Sequence, residues 1–257
     1  LLQRSIGNPV SIRNLGWAGD MLKARDRPTN FPTEASTLAA HKTDVIIACF
    51  GMGESFAGES ALVEFKNNLA AFIASHLGKK YNGKSEVRLV LVSPIAYENL
   101  GLRTPRWQER NRELSAYTRI MSETASKMGV PFVDLYGPTT ELIKDKNTPS
   151  LTDNGINLND YGYWCVSRTL ADALLPGEAP WLLSLDAKTG RASGRGANIS
   201  DVKSKDKTLS FAVQELAWPS LAAPVKGQGH SQLKRNLDQL IIKNLAPGNY
   251  RLVVDGK

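Results

Sequence analysis

Short β-branched runs alternating with amphipathic stretches predict an α/β domain on a parallel sheet, and a change of texture after Pro180 predicts a small β-rich module behind it. The strand candidates are residues 44–50, 86–93 and 131–135, with a weaker one at 10–15. Each is bounded by Gly, Pro, Asn or Asp, the pattern of strands covered on both faces. Between them, residues 60–77 place Leu62, Phe65, Leu69, Phe72 and Ile73 on one apolar stripe. Pro105 opens a second helix that Gly129 closes, with Leu114, Tyr117, Ile120 and Met121 on its inner face. A third spans residues 161–175 and stops at Pro176-Gly177. After Pro180 come short alternating stretches, 208–213 and 249–254, separated by turns such as Thr189-Gly190. The division expected is an α/β domain over 1–178 and a β-rich module over 179–257.

Composition removes several classes. The 257 residues hold enough chain for a sizeable core, and 42% hydrophobic with 22% charged residues is ordinary for a folded protein. The longest apolar runs are strand-sized, so no membrane span is expected. Two cysteines, Cys49 and Cys165, exclude a disulfide framework and a cysteine-rich zinc site. The cysteines read as small buried hydrophobes. His41, His76 and His230 are too scattered for a metal cluster, so neither metal nor cofactor is expected. His76, at the end of the first predicted helix, sits where a cation suits the helix dipole.

Four segments read as loops at strand C-terminal ends, where open α/β sheets bind ligands. They are residues 13–20, 50–58, 93–99 and 151–163. Within them stand Trp17-Ala18-Gly19-Asp20, Phe50-Gly51-Met52-Gly53-Glu54-Ser55 and Thr152-Asp153-Asn154-Gly155-Ile156-Asn157. In order and spacing these resemble the second, third and fifth blocks of the SGNH/GDSL-type hydrolases. The likeness covers residues 1–175 and is closest to bacterial members found inside larger multi-domain chains. It implies a flavodoxin-like, three-layer α/β/α fold. It also implies ester hydrolysis, commonly removal of acetyl groups from carbohydrate, through an acyl-serine intermediate.

Carried across block by block, the resemblance puts Gly19 and Gly53 at the oxyanion and Asn154 and Asn157 at the carboxylate and histidine positions. Here the chain departs from its family. The nucleophile block is absent, and residues 1–7 read as the end of the helix that follows it. Gly53 stands where the family has an Asn donor, a loss that typically costs about a hundred- to a thousandfold in turnover. Asn157 stands for the histidine, and an amide takes no proton from a serine at neutral pH. Two independent departures favour natural degeneration over a deliberate His-to-Asn replacement. The expected activity is therefore little or none, and the rival role is a non-catalytic binding or scaffolding domain of a larger envelope or secreted bacterial protein. The absent first strand should lie upstream of Leu1, or another segment should fill its place inside the sheet. The chain is thus expected to be a fragment of a longer polypeptide.

A second enzyme reading takes Gly53-Glu54-Ser55-Phe56-Ala57 as a nucleophile elbow, with Ser55 attacking and Asp134 or Asp153 and His230 downstream. Trp17, Trp107 and Trp164 lie near the loop ends, as sugar-stacking faces or as core. Twelve basic against six acidic residues after Glu178 make the module the cationic part of the chain. That balance fits either an anionic polysaccharide or cell surface, or lysines lining a solvated edge strand. The partners expected are a carbohydrate or small ester ligand and other domains of the same polypeptide, not nucleic acid, in a periplasmic or secreted setting.

Overall fold

The computed structural model describes residues 10–174, 181–205, 208–216, 223–224 and 239–256. The chain divides into two units, Ile12–Leu174 and Leu1–Ser11 with Leu175–Lys257.

In the first unit the elements run α1 (Glu34–Ala40), β1 (Val45–Cys49), α2 (Leu62–His76), β2 (Arg88–Val92), α3 (Trp107–Met128), β3 (Phe132–Val133), α4 (Tyr136–Lys144) and α5 (Asp160–Leu174). The three strands pair in parallel in the order β1-β2-β3. Val45 stands opposite Arg88 and Cys49 opposite Val92, while Leu91 and Val92 face Phe132 and Val133. Because side chains alternate along a strand, β2 feeds two cores. Leu89 and Leu91 join Phe65, Leu69, Phe72 and Ile73 of α2 and Tyr117, Met121 and Ala125 of α3. Val90 and Val92 join Ile95, Val133 and Leu135, against which Val166, Leu170 and Leu174 of α5 pack. Helices therefore cover both faces, the three-layer α/β/α arrangement the sequence predicts.

Several local expectations need correction. Residues 10–15 form no strand, and Ile12 is 70% exposed. Asn14 Oδ1 instead accepts from the Gly16 amide at 3.1 Å, the local turn chemistry that competes with sheet pairing. Among the described residues, strand β1 is covered on one face only. Ile46 and Phe50 pack inward, while Val45 and Ile47 stay about two-fifths exposed and Cys49 is exposed. Among the described residues β1 is the outer strand, so no described segment fills the place beside it. Helix α1 goes unpredicted because it is short, although Thr33 caps it by accepting from the Ser36 amide at 3.2 Å.

His76 is not the solvated cation its position suggests. It is 3% exposed, its Nδ1 lies 2.9 Å from the Tyr81 hydroxyl, and its Nε2 has no hydrogen-bond partner among the described residues. Burial holds its pKa below the ordinary 6.5, aided by Arg25 and Lys79 and opposed by Glu34, whose carboxylate lies 3.8 Å from Nε2. A folded-state pKa below the unfolded one means that the stability due to neutral His76 is present above the unfolded value. It is lost as pH falls toward the folded one. Thermal melts from neutral pH down to about 5 should therefore show a loss of stability that His76→Gln reduces. Equal acid sensitivity in both proteins would show that His76 carries none of it.

The second unit contains β4 (Leu182–Asp186), β5 (Ala192–Arg195), β6 (Ala197–Lys205), β7 (Thr208–Glu215) and β8 (Gln239–Lys243). Strand β4 pairs antiparallel with β5 and parallel with β8, and β6 and β7 form an antiparallel pair with a bulge between Ser200 and Lys203. Asp186 closes the predicted 186–190 turn, its Oδ1 accepting from the Lys188 and Thr189 amides. The strand expected at 249–254 does not form, and Leu252 and Val254 stand 66% and 61% exposed. His230 lies outside the described residues.

Candidate functional site

The first loop folds back on itself through Asp20, whose amide donates to the Trp17 carbonyl and whose Oδ2 accepts from the Trp17 amide. Gly19 occupies this turn at φ +87°, and the place a Cβ would take there is open space. Arg27 grips both Asp20 oxygens, at 2.8 and 2.7 Å, and stacks 4.6 Å from the centre of the Trp17 ring. Hydrogen bonding to that guanidinium holds the Asp20 carboxyl below its usual range. Trp17 also meets Phe31 edge-on and remains half exposed.

The second loop follows β1, and Glu54 ties it to the first. Its Oε1 accepts from the Leu22 amide and its Oε2 from the Gly51 amide, each at 2.8 Å. Gly53 sits directly beneath the first loop. A Cβ there would fall 2.8 Å from Met21 Cγ and 3.2 Å from its sulfur. At the position where the resemblance calls for an Asn side chain, Met21 occupies the room. The structure thus brings Gly19 and Gly53 onto two loops fastened to each other.

Ser55 does not form a nucleophile elbow. It is fully buried, its hydroxyl donates to the Met52 carbonyl at 2.8 Å, and it accepts from Arg110 Nη2 at 2.9 Å. Arg110 in turn pairs with Glu113 and lies 4.0 Å from the centre of the Phe56 ring. A serine so enclosed holds the loop to α3 and offers no oxygen to a substrate.

The third loop, after β2, supports the fourth. Glu98 is 7% exposed, and its carboxylate accepts from the Leu151 amide at 3.0 Å and the Thr152 amide at 2.8 Å. It accepts also from the hydroxyls of Ser150 and Thr152. Arg103 donates to the Asp153 carbonyl at 3.1 Å. Gly155, at φ +95°, packs so closely that a Cβ would come within 2.7 Å of Thr104 Cγ2. On this base Asn154 and Asn157 share one exposed turn, in which Asn154 Oδ1 accepts from the Ile156 and Asn157 amides at 3.2 and 2.9 Å. Asn159 then caps α5 by accepting from the Gly162 amide. Met52 of the second loop and Leu158 of the fourth pack on the same Val90–Val92 cluster.

The remaining candidates are structural. Cys165 is 3% exposed, and burial pushes its thiol up to about 11, while Trp164 is buried. Among the described residues no group of His, Cys, Asp or Glu is placed to hold a metal ion. No described helix is long and apolar enough to cross a membrane. Sequence reasoning missed Glu54, Glu98 and Arg110. Each is a charged side chain turned inward to hold a loop, and nothing in its local sequence separates it from a solvated neighbour.

A family model described as GDSL-like lipase/acylhydrolase matches residues 1–165, and the chain belongs to that family. Among solved structures it is similar to a gut microbial diltiazem-metabolizing enzyme, at 18% identity and a TM-score of 0.54, over 77% of this chain and 52% of that one. It therefore spans about half the length of that enzyme, and the likeness is one of fold. An acetylxylan esterase from Geobacillus stearothermophilus matches at 17% identity and a TM-score of 0.41, over 55% of this chain and 63% of that one. An alpha/beta hydrolase from the metagenome of Lake Arreo, Spain, matches at 17% identity and a TM-score of 0.42, over 60% and 68%. No curated protein matches the chain.

Proposed function

We propose that this domain descends from carbohydrate O-acetyl esterases and that the chain as it stands has lost ester hydrolysis while keeping the fold and its loops. The observation that carries this reading is that the second loop presents Gly53, with no side-chain donor, and that Met21 borders the space a side chain would take. Asn157 supports the same reading, because its amide offers no basic nitrogen to a serine hydroxyl. Gly19 keeps its open turn and the loops keep their fastenings, so a small ester or an acetylated sugar remains the ligand class for these loops. The wider role is that of a binding or scaffolding domain in a larger periplasmic or secreted bacterial protein.

Rapid-mix kinetics with p-nitrophenyl acetate tests the loss of chemistry. The expected result is no stoichiometric burst of p-nitrophenol and no acyl adduct by mass spectrometry. A burst from the chain as it stands would overturn the reading. Titration with acetylated xylo-oligosaccharides then separates the two remaining roles, since saturable binding marks a ligand cleft and its absence marks a scaffold.

A further inference from the structure

We infer that Asn154 is a site of self-modification, at which the backbone nitrogen of Gly155 closes on the Asn154 side-chain carbonyl and converts the asparagine to aspartate or isoaspartate. The inference is independent of the esterase reading. Asn154 is exposed and is followed by a residue with no Cβ to hinder ring closure. Its carbonyl oxygen already accepts two backbone N–H groups, from Ile156 and Asn157. Those donors polarise Cγ and stabilise the negative charge that gathers on Oδ1 as the nitrogen attacks, as oxyanion donors do.

The attacking nitrogen must lose a proton, and the loop supplies a path for it. The Gly155 amide donates to Thr152 Oγ1 at 3.0 Å, and that hydroxyl donates to Glu98 Oε2. As the bond from Gly155 N to Cγ forms, the amide proton passes to Thr152 Oγ1 and the hydroxyl proton to the Glu98 carboxylate. The bond from Cγ to Nδ2 then breaks, and Nδ2 takes a proton back and leaves as ammonia. Water opens the resulting succinimide at either carbonyl. One water is consumed and one ammonia released, with no oxidant or reductant.

The chain carries its own control. Asn82-Gly83 has the same dipeptide, and Asn82 Oδ1 likewise accepts two backbone amides, from Lys84 and Ser85. There, however, the Gly83 amide donates to the Lys80 carbonyl, which carries no proton to pass on. The departing Nδ2 is also held, by Asp44 and Ser85. The two sites share the polarised carbonyl and differ in the proton path.

The experiment incubates the full chain at neutral pH, folded and in concentrated urea, and follows aspartate and isoaspartate at positions 154 and 82 by peptide mapping. Expected is a faster conversion at Asn154 in the folded chain than in urea, and a faster one than at Asn82 in the folded chain. Thr152→Val should slow the folded-state reaction at Asn154 about a hundredfold, the low end of what a positioned proton acceptor contributes. Thr152→Ser should restore it. A merely structural role caps the slowing at the rate of the unfolded chain, because loosening the loop moves the rate toward that value, so Thr152→Val slower than the chain in urea marks the lost proton path. Conversion at Asn154 that is slower folded than unfolded, or no slower in Thr152→Val, overturns the proposal. If Thr152→Val does not fold, the folded-to-urea ratio of the unmodified chain and of Thr152→Ser decides.

Discussion

Glu98→Ala is expected to cost about 2–6 kcal/mol, because it orphans the Leu151 and Thr152 amides in a buried setting at about 1–3 kcal/mol each. Both residues are no more than 3% exposed, so water does not readily replace the lost carboxylate. The hydroxyls of Ser150 and Thr152 lose the same acceptor, but each rotates toward another partner at smaller cost. Urea unfolding measures the global loss, and hydrogen exchange at Leu151 and Thr152 measures the local one. Glu98→Gln should fall between, since its amide keeps one acceptor oxygen and brings an NH2 toward groups that are themselves donors. Unchanged exchange at both amides in Glu98→Ala would mean that the fourth loop is held by something other than this carboxylate.

Gly162→Ala sets two effects against each other. Alanine gains at most about 1 kcal/mol over glycine in a helix, and Gly162 lies in the first turn of α5. Against that, a Cβ on Gly162 would run into the Leu151 carbonyl oxygen and lie 2.8 Å from Leu158 Cδ2. The first contact is with backbone, so relief requires the whole 151–158 segment to lift from α5, and overpacking of that kind costs about 1–3 kcal/mol or more. The clash wins, and the variant should be destabilised by up to about 2 kcal/mol net. Tyr163→Ala next to it, 63% exposed, should change stability by no more than about 0.5 kcal/mol. A Gly162→Ala protein more stable than its parent would show that the loop moves away freely.

Where burial writes itself into the sequence, the fold is legible from the residues. The runs that become β2 and β3 are apolar because the sheet is covered there, and Phe65, Leu69, Phe72 and Ile73 repeat at helical spacing because one face of α2 is core. Legibility fails where the deciding partner is distant in sequence. Val10, Ile12 and Leu15 have a strand's composition but no neighbouring strand among the described residues, and Asn14 turns the chain instead. Ser55 has the local pattern of a nucleophile, and only Arg110, far along the chain, shows that its hydroxyl is spent. His76 has the position of a helix-end cation, and only its burial beside Phe72 and Tyr81 favours the neutral ring, against the pull of Glu34. At the candidate site the glycine and asparagine positions are readable through the family pattern, whereas Met21 over Gly53 is a fact of three-dimensional packing.

That last contact makes residues 21 and 53 a coupled pair. A Cβ on residue 53 would crowd the Met21 side chain, whose flexible end must turn aside before anything larger than glycine is seated there. A change at either position is therefore felt at the other, and the effect of substituting both should depart from the sum of the two single effects. The first two loops thus answer to mutation as one joint.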